Sequence, residues 1–113
     1  MYLKYFRQQT WIEAAVAHHQ YATHSEGFLP PKSGSRRNKL IALNGQKATL
    51  IFYESPHRLL KTLKDMQEVW NDPTIVVARE LTKKFEEVRK DKASLLIEHF
   101  TIHPPKGEFV LLR

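Results

Sequence analysis

The chain has 113 residues and no cysteine, which excludes disulfides and thiolate-held metals. That length supports one domain with a core of its own, and no apolar run nears the roughly 18 residues that a membrane-spanning helix needs. Lys and Arg outnumber Asp and Glu by 18 to 12, a net charge of +6 with a pI near 9.7. Such an excess favours a polyanionic partner, because cations beside phosphates release condensed counterions. No signal-peptide pattern follows Met1, so the expectation is a cytoplasmic protein without a membrane partner.

Residues 1–25 carry neither Gly nor Pro and are rich in Gln, His and aromatics. Thr10 can cap a short helix over 11–20, with Ile12, Ala15, Val16 and His19 on one face. This composition differs from that of residues 26–113, so 1–25 is set apart as a divergent N-terminal segment. In "EGFLPPKSGSRRNKL", Gly27, Pro30, Pro31 and Gly34 predict a loop. Ser35 then caps a helix bearing Leu40, Ile41 and Leu43, which Asn44-Gly45 ends. Residues 49–53 form a short apolar strand of the kind covered on both faces.

Ser55 as N-cap and Pro56 at the first helical position start the next helix. Leu59, Leu63, Met66 and Trp70, with Leu60 beside them, give it one apolar face. Asn71-Asp72-Pro73 stops it. A second buried strand covers 75–78 and a third 85–89. A helix over 94–100, a loop at His103-Pro104-Pro105 and a terminal strand in "GEFVLLR" complete the chain. This order predicts an α/β fold, a mixed β-sheet flanked by helices. In such sheets ligands gather outside the carboxyl ends of strands, where "ESPHR" and "RELTK" both fall.

Three clusters are candidate sites. Glu54, His57 and Arg58 surround a helix N-terminus, which suits a polar ligand or a phosphate; read structurally, Ser55-Pro56 is only a cap and Arg58 a surface charge. Arg79 and Glu80 follow apolar strand residues, and an Arg79–Glu54 or Glu80–Arg58 pair would satisfy an inward charge. Lys32, Arg36, Arg37 and Lys39 on the Pro/Gly segment can meet backbone phosphates, or form a solvated surface. The histidines lack metal-ligand spacing, so no metal is expected, and no Gly-rich nucleotide loop or Ser/His/Asp set is visible.

"EGFLPPKSG", "TLIFYESPHRLLKTL", "VVARELTKKFEEV" and "KGEFVLL", in that order, resemble the C-terminal half of the ribosomal RNA small subunit methyltransferase I family, in the tetrapyrrole methylase superfamily. The resemblance covers residues 26–112. It implies an S-adenosylmethionine-dependent methyltransferase acting on a ribose 2′-hydroxyl of a 16S rRNA cytidine. The partner would be the small ribosomal subunit, the assembly a homodimer, and the cofactor would lie in a cleft between two domains. By position, it carries cofactor contacts onto Glu54, Leu81 and Thr82. The superfamily usually has Met and Gly at the first two contact positions, so main-chain contacts transfer better than side-chain ones.

On the same footing Lys32, Arg36, Arg37, Arg58 and Lys83 would face RNA. Glu54, His57 and Glu80 are the candidate catalytic bases for the hydroxyl proton. The family's N-terminal half with its Gly-rich loop is not in this sequence, so 26–113 reads as a C-terminal domain, inactive alone. Asp91-Lys92 stands where the family usually has Gly-Thr. Two other readings remain: a small-molecule, tetrapyrrole-type methylase domain, against which the basic "FLPPKSGSRR" segment weighs, and a non-catalytic RNA-binding or dimerisation module.

Overall fold

Five strands in one mixed sheet and three helices make up the computed structural model, which describes residues 23–80 and 87–113. The helix expected at 11–20 lies outside the described residues. The order is β1 (Thr23–Phe28), α1 (Ser33–Leu43), β2 (Thr49–Glu54), α2 (Leu59–Val69), β3 (Thr74–Glu80), β4 (Glu87–Lys92), α3 (Ala93–Ile102) and β5 (Glu108–Leu112). Across the sheet the strands run β1-β2-β5-β3-β4. β1 is parallel to β2, whereas β5 is antiparallel to both β2 and β3, and β4 is antiparallel to β3.

Alternation along the strands divides the core. Leu50, Phe52, Ile75, Val77, Phe109 and Leu111 share one cluster with residues of all three helices. Ile51, Val76, Ala78, Val110 and Leu112 form a second cluster on the opposite face, joined by Tyr53. Among the described residues the helices therefore layer on one face. The apolar face expected on α2 is the buried one: Leu59, Leu63 and Met66 are fully enclosed, and the Trp70 indole N–H donates to the Leu40 carbonyl at 2.9 Å.

Helix starts differ from expectation. α1 begins at Ser33 rather than after Ser35, and Lys32 at its cap position offers no side-chain acceptor. α2 begins at Leu59, not Pro56. Residues 56–58 form a turn closed by the Arg58 N–H on the Ser55 carbonyl at 3.1 Å. The ends agree better. Gly45 with φ +90° follows α1, and Asn71 and Asp72, with φ of 57° and 52°, follow α2. β4 covers 87–92 instead of the expected 85–89, with residues 85 and 86 outside the described part. It is a charged edge strand held by its ladder to β3 rather than by an apolar pattern.

Asp72 has a second task. Its carboxylate accepts the Ser94 N–H and the Ser94 hydroxyl, both at 2.7 Å, while the Pro73 carbonyl accepts the Ala93 N–H at 2.9 Å. The turn after α2 thus caps α3, whose own cap residue Lys92 provides no side-chain bond. The Ser94 hydroxyl, and next its N–H, hold the Asp72 carboxyl below its ordinary value of 3.8. A lowered folded value means that the stabilisation is complete above the unfolded value and fades as the pH falls through the folded one. Asp72→Asn keeps a side chain tolerant of positive φ. Urea unfolding should show it less stable than the parent near neutrality, with the difference closing in strong acid.

Candidate functional site

The ladder of β5 decides where the polar clusters meet. Because β5 runs against both neighbours, β2 and β3 are parallel to each other and end at the same edge of the sheet. Glu54 and Arg79 both lie opposite Phe109, and Glu80 lies opposite Glu108. Strands two apart are separated by roughly 9.5 Å, so "ESPHR" and the start of "RELTK" flank one β5 end. An open cleft of about 490 Å³ sits there, lined by Phe28, Tyr53, Glu54, Ser55, Pro56, Glu108 and Phe109.

β1, expected as loop, supplies the cleft's outer side. Its pairing with β2 advances from Ser25↔Ile51 to Gly27↔Phe52, leaving Glu26 as an extra residue. Gly27 has φ +67°, a conformation that side-chain-bearing residues adopt with strain. An uninterrupted register would set Phe28 opposite Glu54, on the helical face. The bulge instead pairs Phe28 with Tyr53, with ring centroids 5.8 Å apart. Phe28 is 64% exposed, an unusual position for a large aromatic and one suited to stacking on a planar ligand.

Glu54 is the hub of the rim. It is buried, and its Oε1 accepts the Ser55 N–H at 2.8 Å and the Arg58 Nε–H at 3.0 Å. Its Oε2 accepts the Thr62 hydroxyl at 2.7 Å. Glu54 therefore pairs with Arg58 and not with Arg79, as one of the two expected pairings had it, and the Glu80 side chain of the other lies outside the described part. Arg79 pairs with Glu87 at 3.0 Å instead. Sequence reasoning misses Thr62, although its position one turn beyond Arg58 on α2 is a usable signal. The Ser55 hydroxyl caps nothing and is buried with no partner among the described residues. His57 is exposed in the turn beside this hub.

The basic segment behaves unevenly. Arg36 is only 3% exposed: its Nε–H donates to Asp65 at 2.6 Å, and Nη1 reaches the carbonyls of Pro30 and Pro31 at 3.4 and 3.0 Å. It pins the "LPP" loop onto α2 and has no face for a phosphate. Arg37 bonds Asp65 at 3.3 Å and Glu68 at 2.5 Å, Lys39 pairs with Glu26 at 3.1 Å, and Lys32 is exposed. Glu80 closes β3 through its main chain. Leu81, Thr82 and Lys83 lie outside the described residues. Among the described residues no cluster of His, Asp and Glu could hold a metal, and no helix is long and apolar enough to cross a membrane.

No family model matches the chain. Proteins named ribosomal RNA small subunit methyltransferase I do: that of Erythrobacter litoralis is 48% identical over 86 residues, 76% of this chain and 31% of the relative. Those of Haemophilus influenzae and Synechocystis are 47% and 43% identical over 90 and 88 residues, each match covering 77% of this chain and 32% of the relative. Over the matched segment, the chain is similar to proteins named ribosomal RNA small subunit methyltransferase I. It spans about a third of the length of those relatives.

Within the matched segment, the Glu54 carboxylate is the contact whose loss should be felt most at this edge. Glu54→Ala strands the Arg58 guanidinium and the Thr62 hydroxyl, and a buried polar group left unpaired costs roughly 1–3 kcal/mol. Urea unfolding should show a loss of at least that size, with Arg58→Gln milder because Glu54 keeps the Ser55 N–H and the Thr62 hydroxyl and a Gln amide can still donate to it.

Proposed function

We propose that this chain supplies the C-terminal wall of an S-adenosylmethionine-dependent methyltransferase that acts on a ribose 2′-hydroxyl of a 16S rRNA cytidine. The observation that carries the reading is the cleft at the carboxyl ends of β1 and β2, found in a segment shared with proteins named ribosomal RNA small subunit methyltransferase I. The residues present fit the donor. The Phe28–Tyr53 pair offers an aromatic surface for an adenine, and the buried Ser55 hydroxyl at the rim lacks a partner among the described residues. When bound, S-adenosylmethionine supplies an activated methyl group for an oxygen nucleophile.

The chain's own contribution is position. Glu54 fixes the 54–58 turn through Ser55, Arg58 and Thr62, and a rim held this way keeps its geometry without rearranging at each turnover. With both Glu54 oxygens engaged, we assign Glu54 to positioning and to main-chain contact with the donor. His57, exposed beside it, is the candidate to accept the hydroxyl proton, and Glu80 is the alternative from the end of β3. Leu81 and Thr82 would meet the donor from the β3 side. Lys32, Arg37, Arg58 and Lys83 are the RNA-facing cations in this reading, Arg36 being spent on Asp65.

The opposite wall would come from a Gly-rich half of the kind the family carries, within a homodimer. Fusing this chain behind the N-terminal segment of a relative, with tritiated S-adenosylmethionine and unmethylated small subunits, tests the proposal. We expect label in an alkali-resistant dinucleotide, because a 2′-O-methyl group blocks cleavage at its own linkage, and a sharp loss of label in Phe28→Ala. A folded fusion that places no label in 16S rRNA, or places it on a base, contradicts the reading.

A further inference from the structure

A second concavity opens at the same edge of the sheet, on the far side of β5. It has a volume of about 360 Å³ and is bordered by Arg79 of β3, Glu87 and Arg89 of β4, His99 of α3, and His103 and Lys106 of the following loop. Among the described residues that line it, cations outnumber carboxylates. Glu87 is the one carboxylate among these lining residues, and it is shared: Oε1 takes Arg79 Nη2 at 3.0 Å and Oε2 takes Arg89 Nη2 at 2.6 Å.

Each guanidinium spends one Nη on that carboxylate, and its Nε–H is buried with no partner among the described residues. Two planar guanidinium forks that share a single carboxylate, together with the Lys106 ammonium, suit an acceptor bearing several oxygens and negative charge. The His99 and His103 rings lie 4.8 Å apart at the rim, one helical turn from each other. A basic residue at a helix end accounts for His99 alone; it does not account for two arginines and a lysine converging on the same hollow.

We infer that this pocket binds a phosphate group, held by Arg79, Arg89 and Lys106 with the His99 and His103 imidazoles at its rim. The chemistry is that of a phosphate monoester, free phosphate or RNA phosphodiester. As an RNA contact it deepens the reading above, because a strand crossing β5 would pass from this pocket to the methyl-donor cleft. As a phosphate site it needs no methyl transfer. Burial, then the Arg89 and His103 charges, hold the His99 imidazole below its usual value, with Arg79 acting the same way and Glu87 opposing. An anion seated among these groups adds a negative neighbour and must raise that value again, by the reciprocity of linked equilibria.

The full chain, titrated with inorganic phosphate against chloride at constant ionic strength, tests the inference. Imidazole proton resonances of His99 and His103 should shift saturably, and the His99 midpoint should rise. Lys106→Gln, at an exposed loop position, should weaken binding roughly tenfold, the usual loss for a charge-assisted contact. Arg89→Gln should do at least as much, and Glu87→Gln should tighten binding by removing the competing carboxylate. A second arm uses a short single-stranded RNA. If its phosphate is the occupant, the salt dependence of affinity should fall by roughly 0.7 per contact removed. Phosphate binding with RNA affinity indifferent to the variants assigns the pocket to a free anion or monoester. Absence of saturable shifts in the parent, or equal affinities for parent and folded Lys106→Gln and Arg89→Gln, overturns the inference.

Discussion

The antiparallel insertion of β5 between β2 and β3 is the constraint on which the remaining geometry depends. Phe109, Val110, Leu111 and Leu112 are almost wholly buried, with alternate side chains reaching the helical core and the opposite cluster. A strand that pairs on both sides and packs on both faces has no freedom of register, since a slip of one residue would exchange its two faces. That fixed strand forces β2 and β3 to run in the same direction. Their polar carboxyl ends then share an edge, and both concavities open along it, one on each side of β5.

Acidic side chains then fasten the segments that this frame leaves loose. Glu54 locks the turn between β2 and α2, Asp65 draws the Pro30-Pro31 loop onto α2 through Arg36, and Asp72 caps α3 across the chain. Each works because its carboxylate takes two or more donors, so the cost of desolvating the charge is met by bonds that water would otherwise make. The result divides a basic protein's charges into two populations. Some arginines are structural partners of buried acids. Others stand at the sheet edge with donors to spare.

Much of this is legible in the residues, and the exceptions have physical causes. β2, α2 and β5 emerge from apolar runs and a 3.6-residue stripe, because packing and local pattern agree there. β1 is hidden because "THSEGF" contains a Gly that reads as a loop, whereas it marks a bulge in a strand formed by pairing with β2. Arg36 looks like a surface cation. Yet 36, 40 and 43 are the buried positions of α1, and Ile41, expected on that face, is 59% exposed. The acid that accepts Arg36, Asp65, lies beside Met66 on the buried side of α2, and a charge next to that apolar stripe is a signal the sequence does contain. The Asp72–Ser94 bond is not legible, since it joins positions 22 apart through a turn whose course only the fold sets. The Glu54 cluster is found from sequence, but its expected partners lie across strands when the real ones lie within one turn of helix.

The central claim is that the edge formed by the ends of β1 and β2 with the start of β5 is where the methyl donor sits. The most direct measurement is amide chemical-shift mapping with S-adenosylhomocysteine on this chain joined to a family N-terminal half. The account predicts the largest shifts at Phe28, Glu54, Ser55 and Phe109. Shifts gathered instead around Asn44 to Thr49 and Arg113, at the far end of the sheet where a separate hollow lies, would contradict it.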